Sequence, residues 1–171
     1  MNNRIVSNMK ILNIAICDDD IGAIANIDRL INRYFENKTT RFKTYKFSSG
    51  SSLLQSDVDL YDIVFLDIKI NEESGLDVAN ELNNLGCTAV LMLVSQYHQF
   101  LPDGYRVRAF RYLLKQSIDA VFDTEMDAAM EELNLKKRQF TFQVYNDTFH
   151  VDYDDIIYFM SSRISIYYII I

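Results

Sequence analysis

The sequence lacks several features that mark particular protein classes. Its 171 residues contain no apolar run near the roughly 18 residues that a membrane-spanning helix needs. Residues 11–17 are apolar but run directly into three aspartates, Asp18, Asp19 and Asp20, which excludes a signal peptide. The two cysteines, Cys17 and Cys87, have no partner at metal-ligand spacing, which favours buried thiols in a reducing compartment. We therefore expect a cytoplasmic protein that does not enter a membrane.

Positive charge is also scarce. The chain has 17 Lys and Arg against 24 Asp and Glu, a formal net charge of −7. The whole excess lies in residues 1–135, because residues 136–171 contain four basic and four acidic side chains. A net negative surface argues against general nucleic-acid binding.

The sequence does contain a regular alternation of apolar segments and amphipathic segments. Five segments are typical of strands, at residues 11–17, 41–47, 63–66, 88–94 and 110–114. Each is followed by a helical pattern, clearest in the apolar stripe Ile118, Phe122, Met126, Ala129 and Leu133. This order predicts an α/β fold with a five-stranded parallel sheet, doubly wound with helices on both faces.

Local signals refine three of the helices. Asp20 is placed to cap the first helix, and Gly86 to end the third. Pro102 and Gly104 interrupt the fourth segment, residues 97–107, and predict a weak helix there.

The pattern changes after the last helix. Residues 135–139 are polar and predict a linker between a first domain, residues 9–134, and a short β segment, residues 140–171. Within that segment a hairpin turning at Asn146 and Asp147 and two further strands, at residues 149–160 and 164–171, are expected. Its length is below the ~40 residues that an independent core usually needs.

Polar side chains follow four of the predicted strands. They are Asp18 and Asp19, Asp67, Ser95 and Lys115. Because the carboxyl ends of parallel strands share one edge of a sheet, we expect these groups to meet. Clustered carboxylates need a compensating cation, and a hard ion such as Mg²⁺ suits them. With Lys115 beside it, Asp67 is suited to accept a phosphoryl group.

Residues 10–133 resemble the receiver domain of two-component response regulators. The acidic pair, Asp67, Gly75 eight residues later, Ser95 and Lys115 occur in that family's order. The resemblance implies a flavodoxin-like fold, Asp67 as phosphoacceptor of a sensor histidine kinase, and at most weak enzymatic activity. It also implies roles for the remaining site residues. These are Asp19 as a direct Mg²⁺ ligand, Asp18 as a ligand through water, the backbone carbonyl of Lys69 as a further ligand, Ser95 and Lys115 beside the phosphoryl group, and Tyr112 as the switch aromatic.

The chain departs from this family at several positions. Gln116 stands where a proline, often with a cis bond, is usual. The orientation of the Lys115 side chain therefore does not follow from the resemblance. Ile70 and Asn71 replace a common Met-Pro pair, and Pro102 lies in the fourth helix, on the face that the family uses for signalling and for dimerisation on phosphorylation. None of these changes removes a charged group from the site.

Residues 140–171 resemble the beginning of a LytTR DNA-binding domain. The recognisable part is the sequence DDIIYF at Asp154–Phe159, preceded by a short hairpin, and FRYLLK at residues 110–115 is typical of receivers attached to that domain. The resemblance implies transcription regulation at promoter DNA. It covers about a third of such a domain, so we interpret the chain as a truncated regulator and assign no DNA-contacting residue.

Two other functions remain open at the level of sequence. One is a stand-alone receiver that binds proteins and not DNA. The other is a phosphatase of the haloacid-dehalogenase class, in which Asp18 and Asp20 would form the nucleophile motif. That second alternative leaves Asp67 and Gly75 unexplained and has Gly22 where Thr or Val is expected.

Overall fold

The structure, a computed structural model, describes residues 11–97, 99, 101–137, 139–144, 147–152, 159–161 and 166–168. The chain divides into two compact units, Met1–Ala129 and Met130–Ile171. No helix in the described part of the chain combines the length and apolar character required to cross a membrane.

The first unit alternates strands and helices as the sequence predicts. The main elements are β1 (Leu12–Cys17), α1 (Ile21–Phe35), β2 (Phe42–Phe47), α2 (Gly50–Leu54), a 3₁₀ turn (Val58–Leu60), β3 (Ile63–Asp67), β4 (Lys69–Ile70), β5 (Glu73–Ser74), α3 (Gly75–Asn84), β6 (Val90–Ser95), α4 (Leu101–Arg106), β7 (Arg111–Leu114) and α5 (Ile118–Lys137). Five strands form a parallel sheet in the order β2-β1-β3-β6-β7, which confirms the predicted α/β fold.

The two faces of the sheet are covered by different helices. On one face, alternate residues such as Ala15, Val64 and Leu66 form a cluster with α2, α3 and the end of α4. On the other face, Phe65 of β3 stacks on Phe122 of α5, with ring centroids 5.7 Å apart. The central strand β3 is buried along its whole length, as the apolar run that ends at Asp67 predicts.

The predicted helix ends are confirmed where the structure gives their hydrogen bonds. The Asp20 side chain accepts a bond from the Gly22 N–H at 2.7 Å and caps α1. After α3, Gly86 has a φ of +78°, the left-handed conformation that glycine adopts most easily, and its N–H donates to the Asn83 carbonyl.

The fourth helix differs from its prediction. It is six residues long, begins at Leu101, and includes both Pro102 and Gly104. Pro102 lies in the first turn, where a backbone N–H has no partner within the helix, so the proline does not interrupt it. Gly104 is buried near the Tyr112 ring.

The last helix also differs. Helix α5 continues to Lys137 and β8 begins at Gln139, so residues 135–137 are helical where a linker was predicted. Leu135, Lys136 and Lys137 are good helix formers, and a polar sequence alone does not end a helix. The predicted apolar stripe of this helix is buried.

Among the residues of the second unit that the structure describes, four short strands follow α5. Strands β8 (Gln139–Val144) and β9 (Asp147–Asp152) pair as an antiparallel hairpin, and β10 (Phe159–Ser161) pairs with β11 (Ile166–Tyr168). The hairpin is therefore confirmed, although Asn146 in its turn lies outside the described residues. Most of the Asp154–Phe159 sequence also lies outside them, as do residues 9 and 10 at the start of the predicted first domain.

Candidate functional site

Three carboxylates meet at the carboxyl edge of the parallel sheet. Asp18 and Asp19 follow β1, and Asp67 ends β3; Cys17 pairs with Leu66, so the two strands end level. One carboxylate oxygen from each of Asp18, Asp19 and Asp67 lies within 4.8 Å of the others. Asp18 and Asp67 are buried, whereas Asp19 is exposed.

Lys115 joins this cluster from the end of β7. Its Nζ donates a hydrogen bond of 2.8 Å to Oδ2 of Asp67 and forms an ion pair of 2.6 Å with Oδ2 of Asp18. The Lys115–Gln116 peptide bond is trans, so the absence of the usual proline does not turn the ammonium away from the site. The Gln116 side chain donates to the carbonyl of Gln96 at 3.0 Å, which ties the loop after β7 to the loop after β6.

Burial and the ion pairs change the pKa values of Asp18 and Lys115. Burial raises the pKa of Asp18, and the neighbouring Asp67 carboxylate adds to the rise, against the opposing contacts with Lys115 and the Asp20 backbone. Burial alone would lower the pKa of Lys115, but hydrogen bonds to Asp18 and Asp67 outweigh it and the pKa is raised. Lys115 is therefore a fixed positive charge at neutral pH.

Cys17 lies next to the cluster but is not a nucleophile there. Its burial, followed by the nearby carboxylates of Asp18 and Glu73, raises the pKa of the thiol to about 12. A thiol with such a pKa stays protonated at neutral pH and unreactive. The prediction of a buried thiol is confirmed for Cys17, whereas Cys87 is only partly buried.

The loop after Asp67 folds into a small hairpin that sequence patterning did not predict. Strands β4 and β5 pair Lys69 with Ser74 and Ile70 with Glu73, and Asn71 in the turn has a φ of +52°. The Asn71 N–H donates to Asp19 at 3.1 Å. A Cβ on Gly75 would lie 1.8 Å from the Asp67 carbonyl oxygen, so only glycine allows this close return of the chain.

The structure separates the predicted site residues into two groups. Five reach an open cleft of about 170 Å³, which is lined by Asp18, Asp19, Asp20, Asp67, Lys69, Gln96, Tyr97 and Lys115. Ser95 and Tyr112 do not line it. Ser95 is fully buried at the end of β6, and its Oγ accepts a bond of 3.2 Å from the Tyr97 N–H. The hydroxyl of Tyr112 donates to the Tyr97 carbonyl, so Tyr97 lies between the two.

Three residues of the cleft were not predicted as site residues. Asp20 was assigned only as a helix cap, a role that is confirmed, while Gln96 and Tyr97 directly follow Ser95. Their position after a parallel strand was the signal that could have identified them. Tyr97 also lies under the Lys69 ammonium, 4.6 Å from the ring centroid, so the two side chains form one wall of the cleft.

The donor set suits a hard divalent cation. Three carboxyl groups and one ammonium meet here, so carboxyl groups outnumber the positive charge by two. Carboxylate oxygens at this spacing, partly open to solvent, are the ligands that Mg²⁺ prefers. The arrangement places a carboxylate oxygen of Asp67 beside an ammonium and two further carboxylates, a combination that is suited to phosphoryl transfer.

Curated relatives of this chain are sensory transduction proteins. It is 29% identical over 105 residues to LytR of Streptococcus mutans, covering 61% of this chain and 42% of that protein. It is 31% identical over 72 residues to LytT of Enterococcus faecalis, covering 42% of this chain and 30% of the relative. The match thus spans less than half of these relatives' length. No family profile matches the chain.

Solved structures with a similar fold are receiver domains. The response regulatory domain of mrkE from Klebsiella pneumoniae superposes with a TM-score of 0.62 at 17% identity, covering 72% of this chain and 98% of that domain. The receiver domain of a Luxo repressor protein from Vibrio parahaemolyticus gives a TM-score of 0.60 at 14% identity, covering 75% and 96%. The first unit therefore has the fold of these receiver domains, and the curated relatives of the chain are sensory transduction proteins named LytR and LytT.

Proposed function

We propose that this protein is a phosphorylation-dependent switch, the receiver of a two-component phosphorelay, in which Asp67 accepts a phosphoryl group from a sensor histidine kinase. The observation that carries the proposal is the contact of Asp67 with Lys115 inside a cleft that also holds Asp18 and Asp19. A carboxylate oxygen of Asp67 attacks phosphorus, the P–N bond of the donor phosphohistidine breaks, and its electron pair returns to the imidazole. The product is an acyl phosphate on Asp67, so the protein acts as an acceptor and not as a turnover enzyme.

Five of the residues that line the cleft have a part in this step. Lys115 orients the Asp67 carboxylate through its hydrogen bond, and its ammonium balances charge on the transferred oxygens. Asp18, Asp19 and Asp67, together with the backbone carbonyl of Lys69, would hold Mg²⁺. When bound, Mg²⁺ would neutralise charge on the phosphoryl oxygens.

The route from the site to a signalling surface runs through Tyr97. Its N–H bonds the Ser95 hydroxyl, and its carbonyl accepts from Tyr112. A phosphoryl group on Asp67 would attract the Ser95 hydroxyl and break its bond with the Tyr97 N–H. The loop at Tyr97 would then move, and with it the side chain of Tyr112. This would alter the face formed by α4 and β7, which we propose as the dimerisation surface of the phosphorylated protein.

The proposed output is transcription regulation in the cytoplasm through a LytTR-type DNA-binding domain of which this chain holds the beginning. The support is the sequence resemblance of residues 140–171 and the relatives named LytR and LytT. A stand-alone receiver that binds proteins is the alternative. A salt-titrated binding assay with promoter DNA separates the two, since DNA binding supports the first and its absence supports the second.

Phosphorylation itself is tested with acetyl phosphate and Mg²⁺. We expect the wild-type protein to be labelled, and Asp67→Asn to lose the label entirely because the amide is not a nucleophile. Asp59→Asn, a change of the same kind at an exposed site, serves as the matched control and should label normally. Label that persists in Asp67→Asn, or turnover of small phosphate esters, would favour the phosphatase alternative and contradict the proposal.

A further inference from the structure

The hairpin that carries Lys69 is attached to the start of α2 by the Glu73 carboxylate, and to the turn before α2 by one longer bond, from the Asn71 side-chain amide to the Ser48 carbonyl at 3.4 Å. Glu73, in β5, directs its carboxylate at the first turn of α2. Its Oε2 accepts from the Gly50 N–H at 2.5 Å and from the Ser51 N–H at 3.2 Å, and the Ser51 hydroxyl donates to its Oε1. One carboxylate thus holds three donors that lie more than twenty residues away in sequence.

The local structure is shaped for this contact. Helix α2 already has its own cap, because the Ser49 hydroxyl accepts from the Ser52 N–H, and Glu73 takes the two N–H groups that Ser49 leaves. A Cβ on Gly50 would lie 2.7 Å from the Glu73 carboxylate and 2.2 Å from Val78, so glycine allows the approach. The Ser51 hydroxyl and the backbone N–H groups lower the pKa of Glu73, which keeps it ionised at neutral pH.

The turn before α2 is itself joined to the acidic cluster of Asp18, Asp19 and Asp67. The Asp18 N–H donates to the carbonyl of Phe47 at 3.1 Å, and the Cys17 thiol contacts the Ser49 carbonyl at 3.4 Å. The turn is therefore fixed relative to the residues that carry the acidic pair. A group that holds the hairpin to this turn also fixes the distance between Lys69 and Asp18.

The hairpin transmits the position of Glu73 to Lys69. Glu73 pairs with Ile70, whose side chain is fully buried, and Ser74 pairs with Lys69. Lys69 is therefore held from one side by the strand that ends at Asp67 and from the other by Glu73. Without the carboxylate, the hairpin would keep its internal pairing but lose its attachment to α2.

We propose that Glu73 is a positioning residue, which holds the hairpin so that the Lys69 carbonyl faces the acidic cluster and completes the cation site. This rests on the proposed function in assigning a cation to that cluster. Glu73 touches neither the cation nor the phosphoryl donor, and it acts through the backbone of β4 and β5.

The test compares Glu73→Ala and Glu73→Gln with Glu72→Ala and Glu72→Gln, which remove the same charge from the exposed neighbouring residue. Mg²⁺ affinity is measured by calorimetry on the metal-free chain, without any phosphoryl donor. We expect Glu73→Ala to weaken Mg²⁺ binding about tenfold, the lower end of what outer-shell partners contribute. Glu73→Gln should fall between Glu73→Ala and wild type, because the amide oxygen still accepts one bond, and the Glu72 variants should stay within about twofold of wild type.

Two further readouts separate positioning from general damage to the fold. Amide hydrogen exchange without metal should accelerate in residues 69–74 and at Gly50 and Ser51 in Glu73→Ala, but not in β1 or β6. Labelling of Asp67 in that variant should be slow at low Mg²⁺ and recover at saturating Mg²⁺. Unchanged Mg²⁺ affinity in Glu73→Ala, or an equal loss in the Glu72 variants, would overturn the inference.

The same data distinguish failure of this inference from failure of the proposed function. If the wild-type protein binds Mg²⁺ but is never labelled on Asp67, the phosphoacceptor role is contradicted. The role of Glu73 is still supported in that case if Glu73→Ala binds Mg²⁺ more weakly than wild type does. A labelled wild-type protein with unchanged Mg²⁺ affinity in Glu73→Ala contradicts the role of Glu73 alone. A wild-type protein that does not bind Mg²⁺ overturns both.

Discussion

Ion pairs occur in two very different settings in this molecule. At the cleft, Lys115 bridges Asp18 and Asp67, and the three side chains are 15%, 1% and 9% exposed. Elsewhere in the first unit, α1 and the residues after it face α5 through three pairs, Arg29–Asp119, Arg33–Asp123 and Lys38–Asp127. We refer to these three as the α1–α5 ion pairs; their side chains are 40–68% exposed.

The same chemistry has different consequences in the two places. Exposed pairs exchange hydration for a screened attraction and contribute little to stability. Buried charges have lost their hydration, so each depends on its partner, and removing one partner leaves the other uncompensated. The α1–α5 ion pairs therefore align two helices with little effect on the free energy of unfolding. In the cleft, by contrast, each buried charge is unfavourable unless a partner of opposite charge compensates it. A bound cation or phosphoryl group can change the balance of those charges.

The largest difference is expected when Lys115 is removed. Lys115→Met leaves Asp18 and Asp67 buried together without a cation, and we expect a loss of about 3–5 kcal/mol in the free energy of unfolding of the metal-free protein. Urea unfolding measures it. Added Mg²⁺ should restore part of the loss, because the ion replaces the missing positive charge.

Lys38→Met is the matched control for that experiment, because it removes an ammonium from an exposed pair. We expect it to cost less than about 1 kcal/mol and to respond no more to Mg²⁺ than the wild type does. Equal losses in the two variants would show that burial does not distinguish the two regions.

The dependence of stability on pH should have opposite signs in the two regions. The raised pKa of Asp18 means that the folded state binds its proton more tightly than the unfolded state does. Its contribution to stability is therefore full below pH 3.8, the ordinary value, and is lost as the pH rises through the raised pKa. Wild type and Asp18→Asn are unfolded without metal from pH 3.5 upward. The free energy of unfolding of the variant should increase relative to that of wild type as the pH rises.

Asp119 behaves in the opposite way, because the Arg29 side chain lowers its pKa. Its contribution is present above pH 3.8 and lost as the pH falls through the lowered pKa. The advantage of wild type over Asp119→Asn should thus shrink on acidification. Curves that move in the same direction for Asp18→Asn and Asp119→Asn would contradict the contrast.

The smallest effects are expected from single changes in the α1–α5 ion pairs. Asp119→Asn and Asp123→Asn should each lower the melting temperature only slightly at neutral pH, and less still at 1 M salt, where screening is strong. Asp127→Asn should cost more than these two, because Asp127 also accepts a hydrogen bond of 2.5 Å from the partly buried Tyr34 hydroxyl. Thermal unfolding at low and high salt measures all three, and a larger loss for Asp123→Asn than for Asp127→Asn would be against the account.

The strand ends of the sheet were predictable because topology decides them. Parallel strands bring their carboxyl ends together, so Asp18, Asp67 and Lys115 could be grouped before any contact was known. Gly75 was identified only through the resemblance to receiver domains, and the structure supplies the reason for it, since the backbone returns to the Asp67 carbonyl.

Contacts between side chains and loops were not predictable in the same way. The bond from Glu73 to α2 joins residues that share no periodic pattern, and Tyr97 acquires its place between Ser95 and Tyr112 from a loop conformation. The end of α5 was also missed, because helix propensity and packing, and not polarity, decide where a helix stops.

The central claim, that Asp67 is the phosphoacceptor, is tested most directly by locating the adduct. The protein is incubated with Mg²⁺ and acetyl phosphate, the acyl phosphate is reduced with borohydride, and the digested peptides are sequenced by mass spectrometry. The account predicts modification at Asp67 alone. Modification at Asp18 or Asp19 with Asp67 unmodified would contradict it.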